Sequence, residues 1–160
     1  PSCLLTLRDE MTAMGFGAPA QVLAKQTLLF EESLAREAQA GRLDALRGQL
    51  KPLERPLLVH GHCHQKAFGA VAPVLDVLKL IPGAQPQLIE SSCCGMAGSF
   101  GYEAKHHAVS MQMAELSLLP AVRNAPDAVV VADGTSCRHQ IHDGAQRQAL
   151  HAAVVLARQL

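Results

Sequence analysis

Residues 128–137 read Ala-Val-Val-Val-Ala-Asp-Gly-Thr-Ser-Cys, and this stretch decides the fold. Its apolar half is too short for a helix and does not alternate, so it reads as a strand buried on both faces. A glycine turn and Cys137 follow directly. The pattern occurs twice more: Leu57-Leu58-Val59 runs into His60-Gly61-His62-Cys63, and Leu88-Ile89 runs into Ser91-Ser92-Cys93-Cys94-Gly95. Each strand is entered from a proline-containing turn.

Helical patterns lie between the strands. Val71, Val74, Leu75 and Leu78 form one apolar stripe, and Pro82-Gly83 ends that helix. The next helix is expected from about Glu103 to Leu119, with Tyr102-Glu103 at its start, Val109, Met113 and Leu116 facing inward, and Pro120 at its end. A last one is expected from Ala145 to Leu156. Upstream, Ala20 to Ala40 reads as one long helix stopped by Gly41, and Leu43, Leu46 and Leu50 suggest another turn or two before Pro52. The predicted fold class is α/β, a short parallel sheet with flanking helices and cysteine-bearing turns at the carboxyl ends of the strands, where such sheets gather functional groups.

With 160 residues, 49% of them hydrophobic, the chain can bury one core. Aromatic residues make up 3% and tryptophan is absent, so that core is built from Leu, Val, Ala and Met. The 14 basic and 14 acidic residues cancel and are mixed along the chain, which argues against nucleic acid or an anionic membrane as partner. No apolar stretch is long enough for a membrane span, and PSCLLTLRDE lacks the features of a signal peptide. The chain therefore reads as soluble and cytoplasmic, with peripheral contact at the inner face of the cytoplasmic membrane compatible with that reading. A start at PSC, without methionine, reads as a cut through a longer protein.

Five cysteines, two of them adjacent, do not suit a secreted disulfide framework; metal ligation or redox chemistry fits better. The topology brings Cys63, Cys93, Cys94 and Cys137 together from three strand ends. Adjacent cysteines can form a vicinal disulfide, serve as core residues or share a polynuclear cluster, and a cluster suits their geometry because one metal ion is awkwardly served by neighbouring thiolates. Glycines in CCGMAGSFG let the backbone approach a cofactor, with Gly98 and Gly101 where a helix N-terminus is expected. Zinc held by the same ligands, or a Cys93/Cys94 dithiol–disulfide enzyme, are the alternatives.

These residues resemble the cysteine-rich CCG-domain family, found in heterodisulfide reductase and in the iron-sulfur components of glycolate and glycerol-3-phosphate oxidising enzymes. Members carry two motifs, each a Cys, then Cys-Cys-Gly, then a terminal C-x-x-C. Cys63, Cys93-Cys94-Gly95 and Cys137 match the second one. The resemblance implies that 53–160 is a complete second half-domain, and that 1–52 is a mostly helical segment ending a first half-motif at Cys3. More narrowly, PSCLLTLRDE, CCGMAGSFGYE and DGTSCRHQI resemble the C-terminal region of bacterial FAD-linked oxidases of the D-2-hydroxyacid dehydrogenase type.

What that resemblance implies is an electron-transfer module of a larger oxidoreductase, not catalytic alone, with substrates of the D-lactate, glycolate or D-2-hydroxyglutarate type. FAD, the substrate site and the first half-domain would lie on the missing part, and the acceptor would be a molecule such as a quinone. A 4Fe-4S cluster would sit on Cys63, Cys93, Cys94 and Cys137, with Cys3 as a further candidate. His62, His64 and His139 are expected near it as hydrogen-bond donors or substitute ligands, His62 and His64 pointing opposite ways, with Gly95 in the turn and Lys66 and Arg138 as counter-charges or solvated ones. One departure stands out: the terminal C-x-x-C reads Cys137-Arg138-His139-Gln140, one thiolate short. His106 and His107 read as surface or packing residues, Met96, Met111 and Met113 as core filler, and Glu31, Glu32, Arg36 and Glu37 as a solvated helix face.

Overall fold

A computed structural model describes residues 1–160. Its centre is a parallel sheet of four strands, β1 (Leu57–His60), β2 (Pro86–Leu88), β3 (Val129–Ala132) and β4 (Ala149–Leu150), in the order β2-β1-β3-β4. Before the sheet come α1 (Ser2–Arg8), α2 (Glu10–Ala13), α3 (Ala18–Gln26), α4 (Phe30–Gln39) and α5 (Asp44–Arg47). Helices α6 (Cys63–Ala67) and α7 (Ala72–Leu78) join β1 to β2. A 3-10 turn at Phe100–Tyr102, α8 (His107–Glu115) and α9 (Leu118–Arg123) join β2 to β3. Finally α10 (Thr135–Ala145) precedes β4 and α11 (Ala152–Ala157) follows it.

Strand alternation divides the core. Leu57, Val59 and Val131 face one layer, packing with Ala35 of α4, Val74, Val77 and Leu78 of α7, and Val155 of α11. Leu58 and Val130 face the other, with Leu118 and Val122 of α9 and Ile141 of α10. The register pairs Val59 with Val131 and His60 with Ala132, so β1 and β3 end together. From β1 the chain crosses to β2 on one side, while β3 and β4 lie on the other. The β1/β3 boundary is thus the switch point of the sheet, where the two connections diverge and leave a crevice at the carboxyl ends.

Four sequence expectations are corrected. The 20–40 helix is broken at 27–29: Arg8 donates to the Thr27 carbonyl (3.0 and 2.7 Å) and Glu32 accepts from the Leu29 N–H (2.8 Å), replacing helix bonds by side-chain ones. The expected 103–119 helix is two. Val109 and Leu116 are exposed, Ser110 and Ala114 face inward, and Pro120 sits in the first turn of α9, where its missing N–H leaves no gap. Residues 145–156 hold β4 as well as α11; Gln146 adopts a left-handed conformation, and Arg147 donates to the carbonyls of Ala125 (3.2 Å) and Ala128 (2.7 Å), bringing the chain back to the sheet. Lastly, Glu31 is buried, and Glu32 is paired with Arg8, so the α4 acidic run is not simply solvated.

Candidate metal centre

His60, Cys94 and Cys137 are all buried, and one ligand atom from each lies within 4.8 Å of the others. They come from the end of β1, the turn after β2 and the start of α10. The neighbouring thiols extend the set: Cys93 lies beside Cys63 and Cys94, and Cys94 beside Cys137. The four cysteines chosen from the sequence are therefore contiguous. Cys3 is exposed; it lines a cleft of ≈ 480 Å³ with His62, Gly134, Thr135 and Ser136, beside the thiols rather than among them.

The backbone supplies donors to the sulfurs. Gly95 N–H points at Cys93 Sγ (3.3 Å), and the N–H groups of Ala97 and Met96 face Cys93 and Cys94. Such donors stabilise charge on sulfur. Two glycines make the close packing possible. Gly95 has φ +91°, and a Cβ there would overlap the Ser110 carbonyl; a Cβ on Gly134 would strike the His62 ring and approach Cys137 Sγ at 3.0 Å.

In the metal-free chain Cys63, Cys93 and Cys94 are held protonated. Cys93 is pushed up by its hydrogen bond with Cys94 and then by burial, Cys94 is pushed up to about 12 mainly by its hydrogen bond with Cys137, and burial raises Cys63. A disulfide-exchanging thiol needs the opposite shift. Burial lowers Lys66, although all four cysteines favour its charge; its ammonium donates to the Ser91 and Ser92 carbonyls, the latter at 3.1 Å. The Lys66 side chain is thus half-buried against the turn that leads into Cys93. Arg138 is spent on the Ala132 and Asp133 carbonyls (3.0 and 2.9 Å), which fixes the turn after β3.

The histidines are redistributed. His62 caps α6, its Nδ1 accepting from His64 N–H (3.2 Å) and lying 3.9 Å from Cys63 Sγ, and burial lowers it to about 4. Its ring meets that of His64 edge to face at 5.5 Å, so the two do not diverge, because both lie at the same helix start. His139 is exposed and bonded to the Tyr102 hydroxyl (2.6 Å), on the cleft rim. Tyr102 ends the 3-10 turn rather than starting a long helix.

His60 is the residue that sequence reasoning missed. It is 1% exposed; Nδ1 is 2.9 Å from Ser91 Oγ, Nε2 has no partner, and burial followed by the Lys66 charge lowers it to about 4. Strand periodicity contained the signal: His60 falls on the same face as Leu58, at a strand end. Gln140, at the position of the absent cysteine, turns away and donates to the Ser110 carbonyl (3.0 Å) and hydroxyl (2.9 Å). A neutral imidazole with one buried free nitrogen beside four thiols, sulfur-directed N–H groups and a nearby cation suit an iron-sulfur cluster or a zinc ion.

The chain is similar to one subunit of the anaerobic glycerol-3-phosphate dehydrogenase of Escherichia coli (strain K12), 30% identical over 159 residues, which is 99% of this chain and 39% of that relative. It is also similar to D-2-hydroxyglutarate dehydrogenase of the same strain, 42% identical over 83 residues, covering 51% of this chain and 8% of the relative. The Pantoea ananatis D-2-hydroxyglutarate dehydrogenase is 37% identical over 59 residues. The chain thus spans about two fifths of the first relative's length and a small part of the others. No protein-family profile matches it, and no solved structure does. No helix is long and apolar enough to cross a membrane.

A second polar group lies behind the cysteine turns, formed by Glu31, Asp133 and His151. Burial, and then the neighbouring Asp133 charge, push Glu31 up to about 7. An unfolded Glu titrates at about 4.3, so the folded metal-free chain binds the extra proton between these values, and stability declines as pH rises through the window. Relative to Glu31→Gln, the wild type is expected to lose about 3 kcal/mol between pH 4.5 and 7.5 in metal-free urea denaturation. Parallel profiles would mean that the carboxyl ionises without penalty.

Proposed function

We propose that this chain is the iron-sulfur electron-transfer module of a larger FAD-linked dehydrogenase, with residues 53–160 forming a complete cluster-binding half-domain. The observation that carries this reading is the convergence of Cys94, Cys137 and His60 at the sheet's switch point, continued through Cys93 to Cys63. Similarity to part of a dehydrogenase over 99% of the chain supports the redox setting. Four thiolates and the His60 imidazole would give five donors, His60 standing in for the thiolate lost at Gln140.

A cluster held there would relay single electrons from a reduced flavin on another part of the protein to an acceptor such as a quinone. The chain's own residues would set its environment. Lys66 offsets thiolate charge, the N–H groups of Gly95, Met96 and Ala97 stabilise the sulfurs, and the helices around the crevice exclude water. The relatives' names favour glycerol-3-phosphate or a D-2-hydroxyacid as the electron source, and the CCGMAGSFGYE resemblance favours the latter.

Anaerobic purification with iron, zinc and acid-labile sulfide analysis and a visible spectrum tests this. Iron with matching sulfide and a brown colour bleached by dithionite is the expected result. Zinc without colour or sulfide would move the assignment to the second reading, a structural zinc site, which the compact Cys94, Cys137 and His60 donor set favours.

His60 gives a finer test. With Nδ1–H donating to Ser91, Nε2 is free to ligate, as in metal sites whose second nitrogen is anchored. His60→Ala is expected to bind iron at least about tenfold more weakly. Full iron retention with only a shifted reduction potential would instead make the ring a hydrogen-bond donor to sulfur.

A further inference from the structure

Glu31, near the start of α4, is 2% exposed, and its Oε1 has no hydrogen-bond partner although it lies 3.6 Å from His151 Nδ1. Asp133 Oδ1, at the end of β3, lies 3.6 Å from the same nitrogen. With Glu31 ionised, all three atoms are acceptors. Asp133 Oδ1 already accepts from Ala152 N–H (3.1 Å), and His151 Nδ1 accepts from Ala153 N–H (3.1 Å), a cap bond that an ion on the same lone pair would replace. No lysine or arginine side chain pairs with either carboxylate. Two buried carboxylates and an imidazole lone pair facing one another need a positive charge between them.

The spacing selects the kind of charge. In the metal-free chain a proton on Glu31 relieves the clash, but the 3.6 Å separations exceed the distance, below about 3.2 Å, that a shared proton favours, and leave room for an ion. Zinc bonds of about 2.0–2.1 Å at the tetrahedral angle place ligand atoms about 3.3–3.4 Å apart, close to what is found. Imidazole with carboxylates is a borderline donor set suited to zinc-class ions and less so to magnesium, which keeps most of its waters. Asp133 is also held from outside: its Oδ2 accepts from Gln65 Nε2 (2.9 Å), as carboxylate ligands usually are held. His151 is 31% exposed and gives the group its opening to solvent.

We propose that Glu31, Asp133 and His151 form a second metal site, which takes one zinc-class divalent cation with water completing the shell. The site joins three parts distant in sequence, α4 of the N-terminal segment, the end of β3 and the start of α11, so the ion clamps the helical segment onto the sheet. It is also coupled to the cysteine turn. Gln65 Oε1 accepts from His62 N–H (3.0 Å), so one amide side chain bridges Asp133 and the residue preceding Cys63.

The test is zinc titration of the full chain, purified anaerobically with its metal centre intact and freed of loose metal by chelation. The readouts are metal content and zinc X-ray absorption. The expected result is one zinc per chain with only oxygen and nitrogen neighbours. Glu31→Gln and His151→Asn, which preserve shape and a cap acceptor respectively, should each bind it at least about tenfold more weakly while iron and sulfide stay at wild-type levels. Zinc with sulfur neighbours only, no bound zinc, or binding unchanged in both variants would each overturn the proposal. Failure of the iron-sulfur reading would show instead in the iron and sulfide assays, which these variants leave untouched.

Discussion

Cys94→Ser is expected to purify without its metal centre, iron and sulfide falling at least about tenfold, while helical content stays at the wild-type level. Cys94 lies at the middle of the thiol series, touching Cys93 and Cys137 and sharing a 4.8 Å cluster with His60. A serine hydroxyl fits the same 4% exposed position but is a poor ligand for a soft metal. The scaffold does not rest on this thiol alone: Cys94 is one of 10 buried residues in its core layer, and the other layer is aliphatic throughout. Circular dichroism with iron analysis separates the outcomes: full iron with a native spectrum would remove Cys94 from the ligand set.

Gly95→Ala is expected to be the most damaging single methyl in the chain. At φ +91° an L-residue pays about 1–2 kcal/mol, and the added Cβ meets backbone, the Ser110 carbonyl, which cannot swing aside as a side-chain tip would. That carbonyl is already fixed by Gln140, so the strain passes to α8 or α10. Overpacking adds about 1–3 kcal/mol, giving a total of about 2–5 kcal/mol, a large part of a domain's usual stability. Urea denaturation should show the loss, and the Cys93 and Cys94 sulfurs should lose their N–H donors with it. A change under about 1 kcal/mol would mean that the turn relaxes at little cost.

The sheet was legible because its signal is local. Three valine- and leucine-rich runs, each ending in a glycine–cysteine turn, gave three strands and the convergence of Cys63, Cys93, Cys94 and Cys137. β4 was not legible: Ala149-Leu150 is two residues long and pairs with β3 only because Arg147 pins the preceding loop. The helix errors have a related origin. Arg8 and Glu32 break the 20–40 helix through contacts distant in sequence, and Ser110, not the larger Val109, faces inward because the space beside Gly95 and Gln140 admits only a small group.

Within the site, histidines nearest a cysteine in sequence drew attention, whereas the ring facing Cys94 and Cys137 stands three residues before Cys63. Side chains alternate along a strand, so His60 reaches the crevice while its neighbour Gly61 does not. Gln140 shows the reverse case. Its position in the motif suggested a lost ligand, and its side chain has become a brace between α10 and α8.

Strand order has a consequence for biogenesis. Because β3 pairs with β1, the donors His60 and Cys63 meet Cys137 only after everything between them has been synthesised and the intervening strand and helices have packed. No shorter segment contains the pocket. During synthesis at about 5–20 residues per second, Cys63, Cys93 and Cys94 therefore leave the ribosome seconds before their partners, as unprotected thiols. A metal loaded at this site would then arrive late, on a folded acceptor, and the yield of loaded protein would depend on how well the cell shields those early thiols from oxidation.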